Sequence, residues 1–122
     1  MNGFTLFGIG RLAEDPERTT RGETTIVRFG LISNDYAGLD KETREPRKVR
    51  TRVWFTAFGA IGEAIAEHAR KGDQLIVQSH VRSNSWVDTK TGETKYEDQN
   101  IVDEFQFGAP GPKTRREREG RE

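Results

Sequence analysis

Between Lys48 and Phe58 the even positions read Lys48, Arg50, Arg52, Trp54, Thr56 and Phe58. Alternate residues of an extended chain share one face. Three cations therefore lead into two aromatic rings along one strand surface. Cations neutralise phosphates. Exposed rings stack on unpaired bases, at roughly 1–3 kcal/mol per base and with little regard to sequence. The chemistry suggested is sequence-tolerant binding of a single-stranded nucleic acid. A solvated sheet surface or a subunit contact would show the same face. Trp86, with Arg82, Lys90 and Lys95 near it in sequence, shifts the balance toward binding. Arg28 adds a cation on another strand, and Tyr36 adds a ring in a polar stretch.

Charge supports a local reading only. Lys plus Arg is 20 and Asp plus Glu is 20, so the whole chain carries no net field. Attraction for a polyanion must come from clustering. The densest cluster is Arg44 to Arg52, with five cations (Arg44, Arg47, Lys48, Arg50, Arg52) against the single acid Glu45.

Other chemistries lack their residues. There is no cysteine, which excludes disulfides, thiolate metal sites and a Cys nucleophile. Two histidines, His68 and His80, are too few for a multi-histidine metal site. Gly8-x-Gly10 lacks the third glycine and following helix of a dinucleotide loop. No nucleophile-elbow motif is present. The expectation is a non-enzyme without metal or cofactor. No apolar run reaches the ~18–20 residues that cross a bilayer, and Met1-Asn2-Gly3-Phe4 has no signal-peptide character. A soluble, cytoplasmic protein is expected.

The elements that must carry these residues can be read from periodicity. Phe4 to Leu12 reads as a first strand, ended by Pro16. Residues 18–23 read as a polar loop. Thr25, Val27, Phe29 and Leu31 give a second strand, about Thr24 to Asn34, with one apolar face. Residues 35–47 read as a long loop. Lys48 to Phe58 is the third strand. Ile61, Ala64, Ile65 and Ala69 give a short helix over about 60–70, stopped by Gly72. Leu75, Val77 and Val81 mark a fourth strand from near Asp73. A Gly92 hairpin follows, and a last strand spans about 100–107. Residues 109–122 have no apolar residue beyond Ala109 and are expected to be a disordered polar tail. Residues 1–108 thus form one domain.

The order strand, strand, strand, helix, strand, hairpin, strand is that of an all-β OB-fold. It predicts a five-stranded Greek-key barrel with one short capping helix and a long protruding hairpin. The residues also resemble the bacterial single-stranded DNA-binding proteins, the SSB family. Gly10-Arg11-Leu12-Ala13-Glu14-Asp15-Pro16-Glu17 is similar to the family's G-x-L-x-x-D-P-E opening. Val27-Arg28-Phe29, Phe58-Gly59, Ala69-Arg70-Lys71-Gly72-Asp73 and Val81-Arg82-Ser83-Asn84-Ser85-Trp86 match further motifs in order, and Lys95-Tyr96 follows the hairpin. The resemblance covers about Phe4 to Phe107.

It implies non-catalytic binding of single-stranded DNA, with little sequence preference, in replication, recombination or repair. Phe58 and Trp86 match base-stacking aromatics of the family, and Tyr36 falls near another. The family's strand-three Trp falls on Arg52, and Trp54 lies two residues later on the same predicted face. The base-stacking set is therefore Trp54, Phe58, Trp86 and Tyr36. The phosphate set is Lys48, Arg50, Arg52, Arg28, Arg82 and Lys90. The family's homotetramer implies a homo-oligomer here, and a chain with only 32% hydrophobic residues would gain from a shared interface. Many members end in an acidic tip that recruits repair enzymes. This tail ends Arg121-Glu122, so recruitment of that kind is not implied. A second reading stays open: an SSB-like OB-fold accessory subunit of a primosome or recombination complex, binding protein first and nucleic acid second.

Overall fold

The computed structural model describes residues 2–120. Its elements are β1 (Thr5–Leu12), β2 (Glu17–Arg21), β3 (Thr24–Leu39), β4 (Pro46–Phe58), α1 (Gly59–His68), β5 (Gln74–Val87), β6 (Thr94–Phe107) and α2 (Pro112–Glu119). The strands lie side by side in the order β1-β5-β6-β4-β3-β2. A second pairing, Arg11 with Ile32 and Leu12 with Leu31, joins β1 to β3. It closes β1, β5, β6, β4 and β3 into a five-membered ring of strands, the architecture expected. The junction of β4 and β6 is parallel and made at Thr56 and Ile101.

Period-2 burial fills the ring. Val27, Phe29 and Leu31 of β3 meet Phe55 and Ala57 of β4, Leu75 and Val77 of β5, and Val102 of β6. Phe29 and Phe55 stack with ring centroids 5.6 Å apart. Helix α1 contributes Ile65, fully buried, and sits directly on the strands. A Cβ at Gly62 would come within 2.7 Å of the Ala57 carbonyl oxygen, so only glycine permits this approach.

Three expectations need correction. Residues 18–23 are not simply a loop. Glu17–Arg21 pairs with β3 from Glu17 opposite Arg28 to Arg21 opposite Thr24, around a two-residue turn with Gly22 at φ +65°. All five side chains of β2 are exposed, so no apolar alternation marked the strand. Residues 35–47 are not a long loop either. β3 runs on to Leu39 and β4 starts at Pro46, which leaves a six-residue turn at the tip of an extended arm. The strands beyond the core have no buried side, and therefore no hydrophobic signal.

The third correction concerns the tail. Pro112–Glu119 is helical, although residues 109–122 were expected to be disordered. Arg121 and Glu122 lie outside the described residues. Polar contacts hold the helix. Asp73 is 5% exposed and accepts from the Gly111 N–H (2.7 Å), the Thr114 hydroxyl (2.7 Å) and the Arg70 N–H (2.9 Å). Lys113 reaches Asp15 at 2.6 Å, and Glu117 lies 3.5 Å from Arg70. An isolated eight-residue helix is marginal in water; these contacts supply what its sequence lacks. The ring itself carries one short helix, α1, as expected, and α2 belongs to the tail beyond residue 108.

Candidate nucleic-acid interface

The register of β3 against β4 assembles the face. Tyr36 lies opposite Lys48, Asn34 opposite Arg50, Ile32 opposite Arg52, Gly30 opposite Trp54, Arg28 opposite Thr56 and Ile26 opposite Phe58. Residues directly opposite in an antiparallel pair point to the same side. Tyr36, Lys48, Arg50, Arg52, Trp54, Arg28 and Phe58 therefore share one outward surface.

Trp54 is its centre. Gly30 opposite offers no side chain, and a Cβ there would lie 3.6 Å from the indole and 3.5 Å from the Arg52 stem. The ring can thus lie close to the sheet while 41% of Trp54 stays exposed. Two guanidinium groups approach it, Arg28 at 4.7 Å and Arg52 at 5.8 Å from the ring centroid. Cation–π contacts of this kind are worth about 0.5–1 kcal/mol at exposed sites. They fix the ring and set positive charge beside a stacking surface. The Asn100 side-chain amide donates to the Trp54 carbonyl oxygen at 2.9 Å, tying β6 to β4 at this point.

The second hairpin continues the same surface. Arg82 of β5 lies 5.9 Å from the Phe58 ring centroid. Glu97 of β6 lies 3.9 Å from the Arg28 guanidinium. Arg82, Asn84 and Trp86 pair with Gln99, Glu97 and Lys95, so they share the side that reaches β4. Trp86 is 43% exposed. Between the hairpins runs a groove of about 330 Å³, lined by Arg28, Trp54, Thr56, Glu97 and Gln99 among others.

The expected residues are not equally placed. Trp54, Arg28 and Arg52 form one cluster, and Phe58 with Arg82 forms a second beside it. Lys48 and Arg50 extend the first along the arm toward the exposed Tyr36. Lys90 stands apart, in the turn at the tip of the second hairpin. Sequence reasoning missed Glu97 and Asp98, which give the groove an acidic side. Their side of the sheet depends on how β6 meets β4, which no local pattern reveals. It also assigned no role to Gly30, which alternates with the buried Phe29 and Leu31 and lies opposite Trp54. Among the described residues, no group of three or more His, Asp or Glu side chains is arranged to hold a metal ion.

Comparison with known proteins bears on this surface. The sequence model of the single-strand binding protein family matches residues 1–108. The chain belongs to that family. It is 28% identical over 104 residues to single-stranded DNA-binding protein 1 of Chlorobaculum tepidum, covering 81% of this chain and 60% of that protein. With the single-stranded DNA-binding protein of Clostridium perfringens it shares 34% identity over 109 residues, 88% of this chain and 65% of the other. The chain thus spans less than two thirds of the length of these two relatives. In fold it is similar to the Plasmodium falciparum SSB solved in complex with ssDNA, with a TM-score of 0.68, 21% identity, and coverage of 88% and 99%. A deletion mutant of the single-stranded DNA binding protein from Thermus aquaticus gives a TM-score of 0.69 at 23% identity, with coverage of 87% and 51%. These neighbours place the ring of strands among SSB OB-folds, as the element order had implied.

Proposed function

We propose that the outward face of β3, β4, β5 and β6 binds single-stranded DNA with little sequence preference. Bases stack on Trp54, Phe58, Trp86 and Tyr36. Phosphates meet Lys48, Arg50, Arg52, Arg28 and Arg82, with Lys90 at the hairpin tip as an outlying contact. The observation that carries the reading is Trp54, half-exposed over Gly30 and flanked by two guanidinium groups. Family membership supports it. The protein performs no catalysis on the strand; it protects it during replication, recombination or repair. For a chain with bacterial relatives, that work lies in the cytoplasm.

A homo-oligomer is part of the proposal, with the family's tetramer as the expected form. Phe7 is 61% exposed, on the outer side of β1. Sedimentation at micromolar concentration should show an assembly, and a stable monomer would refute this part.

Titration of tryptophan fluorescence with dT oligonucleotides at several salt concentrations tests the main reading. Quenching that saturates with oligonucleotide and weakens with salt is expected. A folded protein that shows none would leave protein binding as the better account of the face.

A further inference from the structure

The contacts that hold α2 use only some of its charges. Thr114 turns inward to Asp73, Lys113 is taken by Asp15, and Glu117 by Arg70. Arg115 and Arg116 are exposed and make no ion pair among the described residues. Three nearby acids are committed elsewhere: Glu14 lies 3.6 Å from Lys71, and Asp73 and Asp15 accept from backbone and side chains of the α2 region; Glu119 is the exposed acid on α2 itself. Arg11 likewise makes no ion pair among the described residues. Its guanidinium donates to the Gly72 carbonyl oxygen at 2.9 Å and to that of Ala109 at 3.5 Å, neither of which carries a formal charge.

A groove connects Arg11 to the face already described. It measures about 560 Å³ and runs on the outside of the ring where β1 parts from β3. Arg50 stands in its wall, together with Asn34 and Ile32. Arg11 and Gln74 are in the same lining. Gln74 leads on to the segment that enters α2: its N–H donates to the Ala109 carbonyl oxygen at 2.9 Å, and its side-chain oxygen accepts from the Ala109 N–H at 3.1 Å.

We propose that the phosphate backbone of the bound strand continues from Arg50 through this groove to Arg11 and onto α2, where Arg115 and Arg116 hold further phosphates. The site takes sugar–phosphate backbone of any sequence, since it offers charge and no aromatic ring. It rests on the reading of the β4 face given above. Its physical advantage is fixed presentation. Arginines on a freely moving tail would lose conformational entropy on binding, whereas the Asp73 contacts have already ordered α2.

The test uses the full chain and the double variant Arg115→Ala, Arg116→Ala. Both side chains are exposed, so the fold and the Asp73 contacts persist. Affinity for dT oligonucleotides of about 4 to about 16 nucleotides, the span of OB-fold site sizes, is measured at several salt concentrations. The variant should bind the shortest strands as the wild type does. On the longest it should bind more weakly, with a log–log salt slope shallower by about 1.4, from ~0.7 per phosphate on single strands. Equal affinity and slope at every length, with normal tryptophan quenching, would overturn the α2 site and leave the face intact. Absence of quenching in the wild type would instead remove the face, and the α2 site with it.

Discussion

The two hairpin arms end in the same turn. One is Asp40-Lys41-Glu42-Thr43-Arg44-Glu45, the other Asp88-Thr89-Lys90-Thr91-Gly92-Glu93. In each, the Asp N–H donates to the final Glu carbonyl oxygen, and the fifth residue's N–H returns to the Asp carbonyl oxygen. The Asp carboxylate accepts from the third residue's N–H, and the Thr hydroxyl oxygen accepts from the Glu N–H. The fifth residue is left-handed in both, at φ +59° for Arg44 and +73° for Gly92. Glycine adopts that conformation freely. For a residue with a Cβ it costs roughly 1–2 kcal/mol. The first arm therefore keeps an arginine where the turn favours glycine. That arm is also the cationic one, with Arg47, Lys48, Arg50 and Arg52 following. The second arm mixes Lys90 and Lys95 with Asp88, Glu93 and Glu97. The difference teaches that the turn fixes the backbone, while the charge at its tip follows the arm it serves.

A third aspartate extends the comparison and gives the largest expected effect. Asp40 and Asp88 close exposed local turns, whereas Asp73 is buried and holds a distant helix. Removing it should matter most. Asp73→Ala is expected to lower stability by about 1.5–3 kcal/mol, the scale of hydrogen bonds to a charged group, and to release α2. Chemical denaturation and hydrogen exchange at residues 112–119 would read this. Burial pushes the Asp73 carboxyl up, but the Gly111 N–H, the Thr114 hydroxyl and the Arg70 N–H together hold it below the usual carboxylate range. A carboxyl depressed in the folded state stabilises at neutral pH. That contribution is lost as pH falls below the ordinary range toward the folded value. Protection of α2 should therefore fall in acid before protection of the ring does. Simultaneous loss would show that Asp73 is not what ties α2 down.

Next in size is loss of an arm's ring. Trp54→Ala and Trp86→Ala should each weaken binding of dT oligonucleotides by roughly 1–3 kcal/mol without unfolding the chain. A normal affinity for Trp86→Ala alone would mean that the two arms do not act as one surface.

The smallest effect sharpens the turn comparison directly. Arg44→Gly should raise stability by about 0.5–1 kcal/mol, the relieved strain less the freedom glycine gains when unfolded. Gly92→Ala should lose about 1 kcal/mol. Thermal unfolding of both variants measures the pair, and equal shifts in the same direction would break the equivalence of the turns.

How much of this was legible in the sequence depended on whether an element has a buried side. Thr25, Val27, Phe29 and Leu31 announced β3 because one face fills the core. On β4, Lys48, Arg50, Arg52 and Trp54 could be placed on one surface because Val53, Phe55 and Ala57 define the other. Beyond Val53 toward Pro46, and along all of β2, both sides meet water and alternation carries no information. α2 was missed for a related reason: it docks through Asp73, Thr114 and Gly111, whereas composition registers only the want of apolar residues. The partnership of Arg28 with Trp54 was within reach of period 2. That of Arg28 with Glu97 required the β4–β6 junction.

Among the described residues β2 closes no ring and pairs with β3 alone, so one row of its amides and carbonyls is left without a partner strand there. Such a row is a template on which a foreign strand can add, and it invites aggregation. Here the template is poor. Pro16 precedes it, Gly22 ends it, and Glu17, Arg18 and Arg21 place charge along its five residues. Any incoming apolar strand would have to desolvate those charges to pair. The element that no hydrophobic pattern revealed is, for the same reason, a poor seed for strand pairing between copies of the chain.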